Sequence, residues 1–86
     1  MSDALQVSVI SPERVLFEGP ARAIVAPAFD GELGILPMHA PLMTLLGKGT
    51  LRIDTTEGER RFGVDGGFLQ VVDDQVRVVT ERAEAK

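Results

Sequence analysis

Apolar and polar residues alternate with period two in several short runs of this chain. Leu5, Val7 and Val9 share one parity against Gln6 and Ser8. Successive side chains of an extended chain point to opposite faces, so this run predicts a half-buried strand over residues 5–9. Ser11-Pro12-Glu13 breaks it. Residues 14–18 read as a short return strand ended by Gly19-Pro20, and residues 21–26 as another, with Ala23 and Val25 facing opposite to Arg22 and Ile24. Further on, Leu51 and Ile53 alternate with Arg52 and Asp54, and Glu57-Gly58 supplies a turn. Phe62 and Val64 point inward on the returning strand, and Asp65-Gly66-Gly67 reads as a hairpin turn whose glycines take positive φ. Residues 68–72 form a strand, Asp73-Asp74 a turn, and residues 75–80 a last strand with Val76 and Val78 opposite Arg77. Residues 81–86 are polar and alanine-rich, a helical stretch too short to persist.

The middle of the chain departs from this alternation. Phe29-Asp30-Gly31-Glu32-Leu33-Gly34-Ile35-Leu36-Pro37-Met38-His39-Ala40-Pro41 mixes turn residues with large apolar ones. Each proline removes a backbone donor and restricts the residue before it, so a helix through Pro37 and Pro41 is excluded. The reading is a turn at Asp30-Gly31, a short strand over 33–36, a fixed corner from Pro37 to Pro41, and a strand or single helical turn over 42–46. Turn signals recurring every eight to twelve residues predict an all-β sandwich or barrel.

Composition narrows the class. Eighty-six residues make one domain with a thin core. The chain is 44% hydrophobic and 26% charged, close to the globular average, which argues against disorder. No apolar run approaches the ~20 residues of a spanning helix. A net charge of −4 opposes a nucleic-acid footprint. The absence of cysteine removes disulfides, thiolate metal sites and cysteine nucleophiles, and a single histidine removes a two-histidine relay. Met1-Ser2-Asp3-Ala4 carries neither the basic nor the apolar region of a signal peptide.

The chemistry-bearing residues point to binding rather than catalysis. Gly47-Lys48-Gly49-Thr50 fails as a phosphate loop, because Gly49 follows the lysine where Ser or Thr is needed. Gly63-Val64-Asp65-Gly66-Gly67 lacks the dinucleotide spacing. His39 has no nucleophile or orienting partner in sequence, and its place between two prolines suits a structural or interface residue. Asp30 and Glu32 supply too few oxygens for a metal and read as an acidic loop that is solvated or meets a basic partner. Arg60-Arg61 reads as a solvated charge pair. Lys48, with Lys86 one of two lysines, sits in a tight turn, where biotinyl or lipoyl carrier domains present their modified lysine. Its glycine neighbours depart from the Met or Asp neighbours of those domains. No catalytic residue, cofactor or metal is expected.

The run Asp30-Gly31-Glu32-Leu33-Gly34-Ile35-Leu36-Pro37-Met38-His39-Ala40-Pro41-Leu42 is distinctive as a whole, and it resembles the G-E-L-G-I-x-P-x-H-A-P-L signature of the ATP synthase epsilon subunits of bacteria and chloroplasts, called delta in mitochondria. Val7-Ser8-Val9-Ile10-Ser11-Pro12-Glu13, Leu16-Phe17-Glu18-Gly19, Gly49-Thr50-Leu51-Arg52-Ile53 and Gly66-Gly67-Phe68-Leu69-Gln70-Val71 agree with it in order and type. The resemblance spans roughly residues 5 to 80.

The resemblance implies the N-terminal domain of that family over residues 1–82, a flattened sandwich of two antiparallel sheets with about ten short strands. Residues 83–86 would be a polar tail where a C-terminal helical hairpin begins, so restraint of hydrolysis and ATP binding are not expected of these residues. The implied role is that of a non-catalytic rotor subunit in the central stalk. It would join the gamma subunit to the ring of c subunits and lie peripherally on the cytoplasmic face of a bacterial membrane or the stromal face of a thylakoid. By the same resemblance, Asp30, Gly31 and Glu32 face the c ring, and Ser11, His39, Ala40 and Thr44 face gamma. Not all of Leu33, Ile35, Leu36, Met38 and Leu42 fit in so thin a core, so some of them are expected to form an apolar partner patch. The other function classes compatible with the sequence are a carrier domain modified on Lys48 and a generic binding sandwich.

Overall fold

The structure, a computed structural model, describes residues 4–86. Eight strands follow in order: β1 (Leu5–Ile10), β2 (Val15–Ala21), β3 (Ala23–Ala28), β4 (Gly31–Ile35), β5 (Leu42–Leu45), β6 (Lys48–Thr55), β7 (Gly58–Val72) and β8 (Gln75–Ala85). The all-β sandwich expected from the turn spacing is present. It measures 34 × 25 × 20 Å, which gives it its flattened shape.

The count is eight rather than about ten because β7 and β8 are each shared between two layers. The first part of β7 pairs with β6, from Gly58 opposite Thr55 to Asp65 opposite Lys48. Its last part pairs with β5, from Phe68 opposite Leu45 to Val71 opposite Leu42. β8 accompanies β7 from Phe62, opposite Ala85, to Val72, opposite Gln75. One layer is therefore β4-β3-β6 with the start of β7 and the end of β8. The other is β2-β1 with the start of β8, the end of β7, and β5. All pairs are antiparallel except β1 with β8, which run parallel from Gln6–Gln75 to Ile10–Val79.

The passage between layers explains why Asp65-Gly66-Gly67 is not a hairpin turn. Phe62 and Val64 are buried, and so are Leu69 and Val71, so the inward parity changes from even to odd across the two glycines. On β8, Val76, Val78 and Thr80 face inward, and after them Ala83 packs on the core with the opposite parity. The two strands keep their register while the pair turns from one layer to the other. Gly66 at φ 78° and Gly67 at φ 106° make that turn possible, as L side chains rarely adopt such a backbone. The buried Thr80 hydroxyl holds the corner, its one proton shared between Gly66 O at 3.0 Å and Arg82 O at 2.9 Å.

Other local readings shift in the same way. β2 runs through Gly19-Pro20, as an edge strand tolerates a missing donor. β5 is a strand, not a helical turn. Residues 81–85, read as a helical start, continue β8, with Ala85 opposite Phe62, so the boundary drawn after residue 82 falls inside a strand. Asp73-Asp74 does form a tight hairpin turn, with both residues at positive φ (50° and 63°), the geometry that matches the twist of the flanking strands.

One cluster of buried residues joins the layers. Leu5, Val7, Val9, Leu69, Val71, Val76 and Val78 come from one side, and Ile24, Ala26, Ile35, Leu51, Ile53, Phe62 and Val64 from the other. At one margin Phe17 of β2 meets Phe62 edge-to-face, with centroids 6.4 Å apart. Arg60 lies over both rings, at 5.3 and 5.7 Å.

Candidate partner interface

The residues expected to face partners occupy two regions. Asp30, Gly31 and Glu32 gather at the β3–β4 hairpin, where Ala28 opposes Gly31 and the two-residue loop is Phe29-Asp30. Gly31 has φ 134° with no atom near its missing Cβ, so the loop tip is open. Glu32 projects from β4 and meets Arg52 of β6 at 3.5 Å, with its side chain 68% exposed. An exposed pair of this kind contributes at most about 1 kcal/mol, so it leaves the carboxylate available to a partner.

Ser11, His39, Ala40 and Thr44 belong to the layer that contains β1 and β5, but they do not form one cluster. Ser11 closes the turn after β1: its N–H donates to Arg14 O at 2.9 Å, and its hydroxyl accepts from Glu13 N–H at 3.4 Å. Thr44 lies half-buried on β5, opposite Leu69. Two strands, β8 and β7, separate β1 from β5. At a strand spacing of ~4.8 Å, that puts β1 and β5 roughly 14 Å apart. His39 and Ala40 sit in the corner before β5. Met38 has φ 69°, and its N–H donates to Asp74 Oδ1 at 2.6 Å, which ties the corner to the β7–β8 turn. His39 Nδ1 lies 2.7 Å from Ala40 O and donates to it, so that nitrogen is committed to the corner.

The apolar residues of the central motif divide as their crowding requires. Ile35 is fully buried, Leu33 and Leu42 pack against the core, and Leu36 and Met38 are 63% and 87% exposed.

A second apolar feature escapes sequence reading. On the outward face of the layer, Leu45 lies opposite Phe68, Phe68 opposite Val79, Val79 opposite Ile10, and Ile10 opposite Val15. This row crosses five strands and ends in two exposed residues, Leu45 at 63% and Val15 at 55%. Ser11 follows Ile10 at one end of the row, whereas Thr44, which precedes Leu45 at the other, stands opposite the buried Leu69 and turns its side chain to the inner face. Exposed contiguous apolar surface rimmed by polar groups marks interaction sites.

Lys48 is not at a hairpin tip. It opens β6 in register with Asp65 and borders an open trough of about 500 Å³ over Gly63, together with Arg82, Glu84 and Lys86. A carrier lysine is displayed at a turn, and this one is fixed in a ladder.

Comparison with known proteins agrees with this architecture. The family model described as ATP synthase, Delta/Epsilon chain, beta-sandwich domain matches residues 4–86. The chain is 44% identical over 82 residues to the ATP synthase epsilon chain of Leptospira borgpetersenii, covering 95% of this chain and 65% of that one. It is 43% identical over 79 residues to the epsilon chain of Syntrophomonas wolfei, covering 91% of this chain and 58% of that one. The chain thus spans about three-fifths of the length of these relatives. Among solved structures, a chain of the Euglena gracilis mitochondrial ATP synthase (OSCP/F1/c-ring) superposes with TM-score 0.90 at 23% identity, covering 99% of this chain and 55% of that one. A chain of the Tetrahymena thermophila mitochondrial ATP synthase central stalk and c-ring superposes with TM-score 0.79 at 19% identity, covering 93% and 65%. With its strands, its central motif and the family match over residues 4–86 in agreement, the chain belongs to the beta-sandwich domain family of ATP synthase delta and epsilon chains.

Proposed function

We propose that this chain is a non-catalytic rotor domain of a proton-translocating ATP synthase, joining the gamma subunit to the ring of c subunits so that ion flow drives ATP synthesis. The observation that carries the reading is the family match over residues 4–86. The surface supports it: the domain offers an outward apolar row on one layer and an open acidic hairpin on the other, a plan suited to holding two partners at once.

In this reading the row from Leu45 to Val15, with Ser11 beside it, meets gamma, Thr44 contributes from the inner edge of β5, and the rigid Met38-His39-Ala40 corner supplies the rest of that contact. Pro37 and Pro41 lower the ordering cost of such a contact, because their backbone is already restricted. Asp30, Gly31 and Glu32 meet basic groups of the c-ring loops. The domain lies peripherally on the membrane surface, on the cytoplasmic side in a bacterium or the stromal side in a chloroplast. Among the described residues no helix is long and apolar enough to cross a membrane.

The test is reconstitution. An ATP synthase stripped of its epsilon subunit is rebuilt with this chain and placed in vesicles. ATP-driven proton pumping should return. Pumping no better than that of the stripped enzyme, with the chain absent from the purified complex, would refute the proposal.

A further inference from the structure

Strand β4 ends the hydrogen-bonding path of its layer, with β3 as its one neighbour among the described residues. Which of its backbone groups are free follows from β3. Pro27 O accepts from Gly47 N–H at 2.7 Å, and Phe29 N–H donates to Leu45 O at 3.0 Å. Residues 27 and 29 thus direct their backbone groups away from β4, and Ala28 between them faces it. Alternation along an antiparallel pair then bonds Gly31, Leu33 and Ile35 to β3 and turns the N–H and C=O of Glu32 and Gly34 outward.

Edge strands are usually blunted by proline, lysine or a bulge. The opposite edge of the fold, β2, carries Pro20. β4 reads Gly-Glu-Leu-Gly-Ile and pairs with β3 without a register shift. Gly31 and Gly34 carry no side chain, and the space where a Cβ would stand is open, so neither position crowds the side chains of an added strand. Phe29 and Leu36, 67% and 63% exposed, bracket the edge as apolar anchors.

We propose that β4 is a strand-addition site, at which an extended, basic segment of a partner protein pairs with the free backbone of Glu32 and Gly34. Main-chain bonds would supply affinity, and alternate side chains specificity. Charge selects the partner. Two copies of β4 paired antiparallel would bring both Glu32 carboxylates onto one face, directly opposite in one register and diagonal in the other, and like charges directly opposite are destabilising. Each copy also carries a net charge of −4. A segment alternating basic and apolar residues places its cations beside Glu32 and its apolar side chains beside Leu33. This deepens the ring-facing assignment and rests on it for where the partner comes from.

The probe is a capped peptide of alternating Lys and Val, titrated into the full chain and followed by NMR. Amide exchange at Glu32 and Gly34 should slow by about tenfold, while that of Leu33, already bonded to β3, changes little. Gly34→Ala should bind within about twofold of the parent. Gly34→Pro, which removes an outward donor, should lose about tenfold in affinity. Cross-strand contacts between β3 and β4 report whether the proline variant keeps its fold. A peptide N-methylated along one edge repeats the test on the unaltered protein and should not bind. Equal binding of the proline and alanine variants, or protection confined to other strands, would overturn strand addition whatever Glu32→Lys does to proton pumping. Concentration-dependent protection of Glu32 and Gly34 without peptide would overturn the choice of a basic partner in favour of a second copy.

Discussion

Gly67 stands so close to Val79 that a Cβ on the glycine would lie 2.0 Å from the Val79 carbonyl oxygen. The two residues sit on adjacent strands of the ribbon that turns from one layer to the other. Backbone cannot give way there as the end of a flexible side chain would. Gly67→Ala should therefore destabilise the domain by about 3–5 kcal/mol, the upper end of the range for single substitutions, or prevent folding. Gly34→Ala, in open space and outside the left-handed region, should change stability by less than about 1 kcal/mol. Urea unfolding of the two variants distinguishes a steric lock from a general intolerance of glycine replacement.

The Thr80 hydroxyl is buried and serves the same corner through Gly66 O and Arg82 O. Thr80→Val keeps the shape and removes the donor. A loss of about 1–2 kcal/mol is expected, the range for leaving a buried carbonyl without its partner. Thr44→Val on β5, where the hydroxyl reaches only Leu45 O at 3.4 Å, should cost less than half as much. Equal losses from the two variants would remove Thr80 from its role as the clasp.

Arg60 lies over Phe17 and Phe62 at the margin where β2 meets β7. Arg60→Met preserves much of the aliphatic packing and removes the cation. An exposed cation–π contact is worth about 0.5–1 kcal/mol. A double-mutant cycle with Phe17→Leu should return a coupling of that size, and a coupling near zero would make Arg60 a bystander.

Glu32→Lys should leave the fold intact, because its pair with Arg52 is exposed and worth at most about 1 kcal/mol. In reconstituted vesicles it should reduce proton pumping, and the defect should shrink at high salt as screening removes like-charge repulsion. Leu45→Asp should also keep the fold, since Leu45 is 63% exposed, and should weaken gamma binding by more than about tenfold if the apolar row is the contact. His39→Ala should weaken gamma binding too, without slowing any catalytic step. Unchanged coupling in Glu32→Lys, or unchanged gamma affinity in both other variants, would detach the respective surface from its partner.

Much of this architecture is legible residue by residue. The alternation of Leu5, Val7 and Val9, of Leu51 and Ile53, and of Val76 and Val78 gives strand and inward face together, and all seven are buried. What alternation does not give is the choice of neighbour. Asp65-Gly66-Gly67 carries hairpin chemistry, yet the chain continues in register with β8, because pairing is decided by residues far apart in sequence. A local clue exists in the change of inward parity between Val64 and Leu69. Residues 81–85 lack an apolar rhythm because they border the open end of the layer, and their strand geometry comes from the ladder that pairs 82–85 with 62–65. The candidate site was similarly divided. The hairpin and corner lie within one contiguous motif, whereas the row from Leu45 to Val15 takes one residue from each of five strands and exists only after folding.

The shared ribbon of β7 and β8 has a mechanical consequence. In a sandwich whose layers meet only through side chains, a sideways load can make one sheet slip over the other. Here two covalent backbones run from the β6 side to the β1 side, cross-linked by their own ladder on both sides of the corner. A tangential pull on the acidic hairpin passes through β3 and β6 into β7, and from there into the layer bearing β1 and β5, so it strains bonded backbone rather than shearing a greasy contact. The domain is thereby a stiff plate, twisting as a unit where a simple stack of sheets would creep.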